Sequence, residues 1–363
     1  MTASGTASLG DLLARPVVVC CGPGGVGKTT IAAALALQVA RAGRRACVVT
    51  VDPARRLADA LGVESLPNVP TLVTGDWPGS LHALMLDTKG TFDDLIARYA
   101  GSTEQAQAIL TNRIYQNLSG LLSGTQEYMA MEKLYELTTS GAYDTVVVDT
   151  PPTRNALDLL DAPRRLTRFL ENRLFRALLL PTQAYLKAMG MATHALLRTI
   201  SRVAGAEIVE DAVAFFRAFS GMEEGFRTRA GAVRTLLADP ATAYVVVTSP
   251  RPDAIEEATY FAAKLSDTGV TAAALVVNRV HPSFAWDPGP SFHPPADGPL
   301  AELVGNLEQL NAAARDDERA VAGLAGRVAP APVGRIALLG SDVHDLAGLQ
   351  LVADRLFVNR PVS

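Results

Sequence analysis

The 363-residue sequence is poor in cysteine, in aromatic residues and in net charge, and each shortage removes a class of function. Three cysteines, with Cys20 and Cys21 adjacent and Cys47 on a later apolar run, make neither a disulfide framework nor a C-x-x-C motif. The adjacent pair is expected on opposite faces of one strand, as small buried hydrophobes. A net charge of −4 argues against a protein that grips nucleic acid by general electrostatic attraction, so no nucleic-acid partner is expected. No uninterrupted apolar run approaches the roughly 20 residues that cross a bilayer. Met1–Arg15 has neither a basic start nor a long apolar block, so no export signal is expected and the chain reads as cytoplasmic. Internal repeats and a low-complexity tail are likewise missing.

What is present is a globular composition, 48% hydrophobic and 19% charged, in a chain long enough to bury a large core. Short β-branched apolar runs recur at Pro16–Cys21, Ala46–Val51, Leu81–Leu86, Thr145–Val148, Tyr244–Thr248, Ala274–Val277 and Arg335–Leu339. Each is followed by Gly, Asp or Pro and then by a helical pattern. Continuous apolar runs fit strands covered on both faces. The rhythm predicts an α/β fold with a mainly parallel central sheet and helices on both sides, with ligands at the C-terminal strand ends.

Two segments break the rhythm. Phe92–Thr139 shows helices with no strand between them, and Leu157–Leu237 is a second helical stretch in which Leu166, Leu170, Leu174 and Leu178 recur at i,i+4. Residues 161–235 hold 12 Lys/Arg against 7 Asp/Glu in an otherwise acidic chain. The expected organisation is therefore an α/β domain from residues 1–156 and 238–363, with a helical excursion at 92–139, and an inserted helical subdomain at 157–237. Pro-rich His281–Gly298 reads as a loop, and a helix is expected from about Leu300 to Leu324.

Gly22-Pro23-Gly24-Gly25-Val26-Gly27-Lys28-Thr29 satisfies G-x-x-x-x-G-K-[ST] directly between a predicted strand and the helix Thr30–Ala42, the context that the phosphate-binding loop requires. Glycines let backbone N–H groups and the helix N-terminus close on phosphates. Lys28 would neutralise β/γ oxygens, and Thr29 would ligate Mg²⁺.

Two strand ends carry acids. Asp52, in Thr50–Ala60, would orient and deprotonate an attacking water, or it would cap the following helix with Pro53 at the first position. Asp149, ending Thr145–Asp149, fits the acid that holds Mg²⁺ through water, although a strand ending in Asp is common in any parallel sheet.

Together, GGVGKTT, T-x-D-P-A-x-x-L-x-D-A and V-D-T-x-P-T-x-x-x-L-x-L-L resemble the arsenical-pump ATPase family of deviant P-loop NTPases, which includes the eukaryotic ATPase that delivers tail-anchored membrane proteins. Gly124–Glu127, Val276-Val277-Asn278-Arg279 and Asp342–Leu346 extend the match along nearly the whole chain. The resemblance implies a Mg²⁺-dependent ATP hydrolase that opens and closes as a dimer. In it Gly22, Gly24, Gly25, Val26, Gly27, Lys28, Thr29 and Thr30 surround the nucleotide. Asp52 belongs to switch I, Asp149 opens switch II (Thr150–Leu160), and Asn278 contacts adenine. Without the family, Asn278 would read as a strand-end turn residue.

The sequence departs from that family in three places. Most members carry a signature lysine after the first loop glycine that reaches the partner's phosphates; here the position is Pro23, with neither charge nor N–H. The chain thus looks like a paralogue of actinobacterial type, expected either to pair with a lysine-bearing paralogue as a heterodimer, to use Arg55, Arg56 or Arg154 instead, or to hydrolyse ATP poorly as a regulatory subunit. The cysteines that bridge the eukaryotic dimer through zinc have no counterpart in Phe284–Phe292, so no zinc is expected. Arsenite capture needs clustered thiolates, which are not expected here. In the family the helical subdomain holds a hydrophobic helix, making such a client or a membrane protein the expected partner. Met189, Met191, Phe215, Phe216, Phe219 and Met222 would suit an adaptable groove, although apolar stripes at helical spacing more often form ordinary core.

Overall fold

The computed structural model describes residues 8–52, 55–118, 125–151, 217–285 and 297–357, with isolated positions 211, 214, 215 and 293. Among them β1 (Val17–Cys21), β2 (Arg45–Thr50), β3 (Thr71–Val73), β4 (Ser80–Met85), β5 (Thr145–Asp149), β6 (Thr242–Thr248), β7 (Ala272–Val280) and β8 (Val333–Ala337) form one sheet, ordered β3-β4-β2-β5-β1-β6-β7-β8. Every neighbouring pair is parallel except β3–β4. The fold is the nucleotide-binding P-loop α/β fold.

The valine-rich strands at the centre explain the topology. All residues of β1, β5 and β6 are buried, so both faces of the sheet are covered, as parallel pairing requires. Val18, Cys20, Val48, Val147, Val245 and Val276 join one core with α1 (Lys28–Arg41), α2 (Arg56–Leu61) and the last helix. Cys21 is buried outside that cluster, and all three cysteines are free. Helix α1 is apolar on nearly every side, with Ile31, Leu35, Leu37 and Val39 buried, and so lies inside the fold rather than on it.

The remaining strand predictions hold to within a few residues, and one strand goes beyond them. β3 has three residues, pairs antiparallel at the sheet's edge and leaves Leu72 exposed, so it carries no apolar run to announce it. The other helices are α3 (Thr88–Tyr99), α4 (Thr103–Leu110), α5 (Arg113–Leu118), α6 (Thr125–Thr139), α7 (Glu223–Ala238), α8 (Pro252–Asp267), α9 (Pro299–Val328) and α10 (Leu346–Phe357). α8 shows why such segments are helical. Pro252 occupies the first turn, and Ala254, Ala258, Phe261, Ala262 and Leu265 form one buried stripe.

The chain divides into two compact units, Met1–Met85 with Glu136–Leu157 and Ala238–Ser363, and Leu86–Tyr135 with Asp158–Leu237. The sheet belongs to the first. Most of the expected insertion 157–237, including the leucines of its stripe, Met189, Met191 and Phe216, lies outside the described residues. The described part of the second unit has an aromatic core, in which Phe92, Tyr99, Tyr115, Phe215, Phe219 and Phe226 pack ring to ring at 5.1–6.4 Å. Phe215, Phe219 and Met222 are buried.

Beside this core a charged pair is buried. Arg229 Nε donates to Glu132 Oε1 at 2.6 Å, its guanidinium lies 4.0 Å from the Tyr135 ring centre, and Glu132 is 1% exposed. Removing one member of such a pair strands the other, whereas replacing both with apolar residues does not. Glu132→Ala is therefore expected to destabilise the helical unit by about 3 kcal/mol, and Glu132→Leu with Arg229→Met to cost under about 1 kcal/mol. Denaturant unfolding of the three proteins measures both values.

Candidate functional site

The cleft at the C-terminal ends of the strands is assembled from four connections. The loop after β1 turns into α1, whose first helical bond runs from Ile31 N–H to Gly27 O at 3.0 Å. Two glycines are dictated by space. A Cβ on Gly22 (φ 145°) would lie 2.0 Å from the Val247 carbonyl oxygen, and one on Gly27 (φ 93°) would lie 2.4 Å from Asn278 Nδ2. Val26 is buried, Gly24 and Gly25 are exposed, and Thr30 is half-buried on the first turn of α1. Pro23 is buried, and its carbonyl accepts from Lys28 Nζ at 2.8 Å.

β5 lies between β1 and β2, pairing Asp149 with Cys20 on one side and Thr50 on the other. That register places the Asp149 carboxylate between two hydroxyls. Thr29 Oγ1 donates to its Oδ2 at 2.7 Å and Thr50 Oγ1 donates to the same oxygen at 2.8 Å. Oδ1 is buried with no hydrogen-bond partner. An unpaired buried carboxylate oxygen beside a threonine hydroxyl fits a divalent cation with oxygen ligands. Thr29 and Asp149 are the residues that would hold it.

Burial, the largest influence, pushes the Asp149 carboxyl above its ordinary value against the opposing pull of Thr29, Thr50 and Lys28. Burial likewise lowers the Lys28 ammonium, with Asp149 opposing it. The two charges sustain each other in a site that penalises both.

Asp52 follows β2, half-buried, with its N–H donating to Thr50 Oγ1 at 3.3 Å and its carboxylate 3.6 Å from Arg56. Helix α2 begins at Arg56 with Arg55 as its N-cap, so the capping reading of Asp52 is corrected: the acid stands before the cap, facing the cleft. Asn278, at the end of β7, also lines the cleft. Its amide Nδ2 donates to Val26 O at 2.9 Å, which braces the phosphate loop.

These residues line an open cleft of about 1000 Å³, to which Leu338, Leu339 and Ser341–His344, after β8, also contribute. The second predicted switch, Thr150–Leu160, lies mainly outside the described residues, as does Arg154. Two participants were missed from sequence. Thr50 is the hydroxyl that ends an apolar strand, a signal present in the T-x-D motif. Arg279, beside Asn278, gave no signal beyond its neighbour.

A family described as anion-transporting ATPases matches residues 15–292. An uncharacterized protein of Streptomyces coelicolor is 33% identical over 304 residues, 84% of this chain and 70% of that protein. ATPase get3 of Aspergillus terreus is 33% identical over 150 residues, and ATPase GET3 of Paracoccidioides lutzii 31% over 150, each covering 41% of this chain and 43% of the relative. The chain thus aligns with less than half the length of the fungal ATPases.

The raised Asp149 carboxyl has a consequence for stability. A group with a raised folded pKa supports the fold while protonated and loses that contribution as pH rises through the raised value. The charged form of this buried carboxyl is a cost. Asp149→Asn keeps an acceptor for both threonines and removes the charge, so its melting temperature is expected to exceed wild type by roughly 2–4 °C for each kcal/mol relieved. The gap should narrow as pH is lowered. Calorimetric melts of both proteins at pH 7.5 and 5 check the sign and the trend.

Proposed function

Because the chain belongs to the anion-transporting ATPase family, a family of nucleotide-driven ATPases, we propose that it binds ATP with magnesium and hydrolyses it to ADP and phosphate. The observation that carries this reading is the Asp149 carboxylate held between Thr29 and Thr50 at the foot of the phosphate loop.

In this proposal the N–H groups of Gly24–Thr30 surround the β-phosphate, and Lys28 exchanges the Pro23 carbonyl for β/γ oxygens. Thr29 and Asp149 hold the magnesium, which when bound neutralises charge on the phosphates. Asp52 aligns a water on the γ-phosphorus and takes its proton, while the bond to the β–γ bridging oxygen breaks and ADP carries away the electron pair. Asn278 contacts the adenine.

Pro23 shapes the rest. Because it supplies no cation, we assign the chain to a heterodimer with a lysine-bearing paralogue, one site being completed in trans. Opening and closing of that dimer would be coupled to handling a hydrophobic-helix client or membrane protein, by a cytoplasmic protein, with membrane contact peripheral. The described residues contain no helix long and apolar enough to cross a membrane. The helical insertion 157–237 is the proposed client-handling part, and the buried aromatic core leaves that role to its other residues. Arsenite is not the proposed cargo, since all three cysteines are buried on β1 and β2. A second reading, a catalytically weak regulatory subunit, is favoured by Pro23 alone.

Steady-state ATP hydrolysis separates these readings. The mixture with a lysine-bearing paralogue should exceed the sum of the separate rates at least about tenfold. Asp52→Asn in this chain should remove about 99% of the rate at its own site. Equal rates for the isolated chain and the mixture would sink the heterodimer, and an Asp52→Asn mixture as fast as wild type would favour the regulatory reading.

A further inference from the structure

Arg279, one residue before the end of β7, adopts a conformation that bulky residues avoid. Its φ is 62°, the one positive value at a non-glycine position among the described residues. The β7–β8 pairing shifts register between Asn278 and Val280, so Arg279 sits in the irregularity, where bulges re-aim side chains. Two bonds hold it there. Its N–H donates to Asn278 Oδ1 at 2.9 Å, and its Nη1 donates to the Gly25 carbonyl at 3.0 Å. The guanidinium therefore rests on the phosphate loop, next to the Asn278 amide that braces Val26.

Charge singles it out further. Three arginines line the cleft: Arg56, Arg251 and Arg279. Arg56 pairs with Asp52 at 3.6 Å, and Arg251 with Asp253 at 2.5 Å. Among the described residues no carboxylate pairs with Arg279. The Gly25 carbonyl takes one of its five donors and none of its charge. Strained backbone concentrates where function over-determines it, and here the strain holds an uncompensated cation against the loop.

We propose that Arg279 is a further nucleotide-binding residue, which supplies in cis a guanidinium to the phosphate chain of a nucleoside triphosphate. It partly replaces the charge that Pro23 cannot carry. The inference rests on the reading of the chain as an ATP-binding protein. It assigns the role to a residue outside the switches, since Arg56 is neutralised by Asp52.

The test is a fluorescence titration of ATP, ADP and adenosine against wild type, Arg279→Lys and Arg279→Gly, with thermal melts of each and Lys28→Ala as the loop control. Glycine adopts the left-handed backbone freely, so Arg279→Gly should melt no lower than wild type. It should bind ATP about tenfold more weakly, the size of a lost charge-assisted hydrogen bond. Arg279→Lys, with its charge but without the fork, should fall between the two, and adenosine binding should not change. A glycine variant that binds ATP like wild type overturns the proposal. So does an equal loss for adenosine and ATP, which would place the contact at the nucleoside. Wild type that fails to bind ATP at all overturns the ATPase reading beneath it, a result distinct from either.

Discussion

The site depends on one carboxylate. Asp149 is almost fully buried, receives hydroxyl bonds from Thr29 and Thr50 on one oxygen, and leaves the other unpaired. A buried anion is expensive unless it is fully satisfied. The structure keeps it half satisfied, at the position where the helix α1 N-terminus, the Lys28 cation and the two strands beside β5 converge. The strand order serves this convergence, because only with β5 between β1 and β2 can hydroxyls from both flanks reach the same oxygen. From there a hydrogen-bonded chain runs through Thr50 to the Asp52 backbone, so the two acids are joined by one hydroxyl.

Pro23 takes its meaning from the same neighbourhood. Proline removes an N–H and any side-chain charge, yet its carbonyl still anchors Lys28. The loop therefore retains the bond that positions its lysine while carrying no charge at residue 23. In the proposed ATPase such a loop would serve its own nucleotide and bring no charge to a second subunit. That is the physical basis for reading the chain as one half of an unequal pair.

Much of this was legible in the sequence because it is local. The loop motif, the acid-terminated strands and the valine runs are contiguous, and the sheet follows them with small shifts at the ends. What was illegible depends on distant residues. β3 is three residues held by antiparallel pairing to β4, with too little buried surface to leave a pattern. The helical spacing of Phe215 and Phe219 does not say what covers them; the rings of Tyr115 and Phe226, with Phe92 behind, do so here. Asp52 could be read as a cap because Pro53 follows it, but the helix starts later, at Arg56. Arg279 is set by a register shift between strands far apart in sequence, which no single-strand pattern records.

The central claim, that Asp149 with Thr29 forms the metal-holding heart of a nucleotide site, is tested most directly by electron paramagnetic resonance of Mn²⁺ titrated in the presence of ADP. One tightly held Mn²⁺ per wild-type chain, dependent on ADP, is expected, with loss of that bound signal in Asp149→Asn. Equal Mn²⁺ binding by the wild-type and Asn proteins would contradict it.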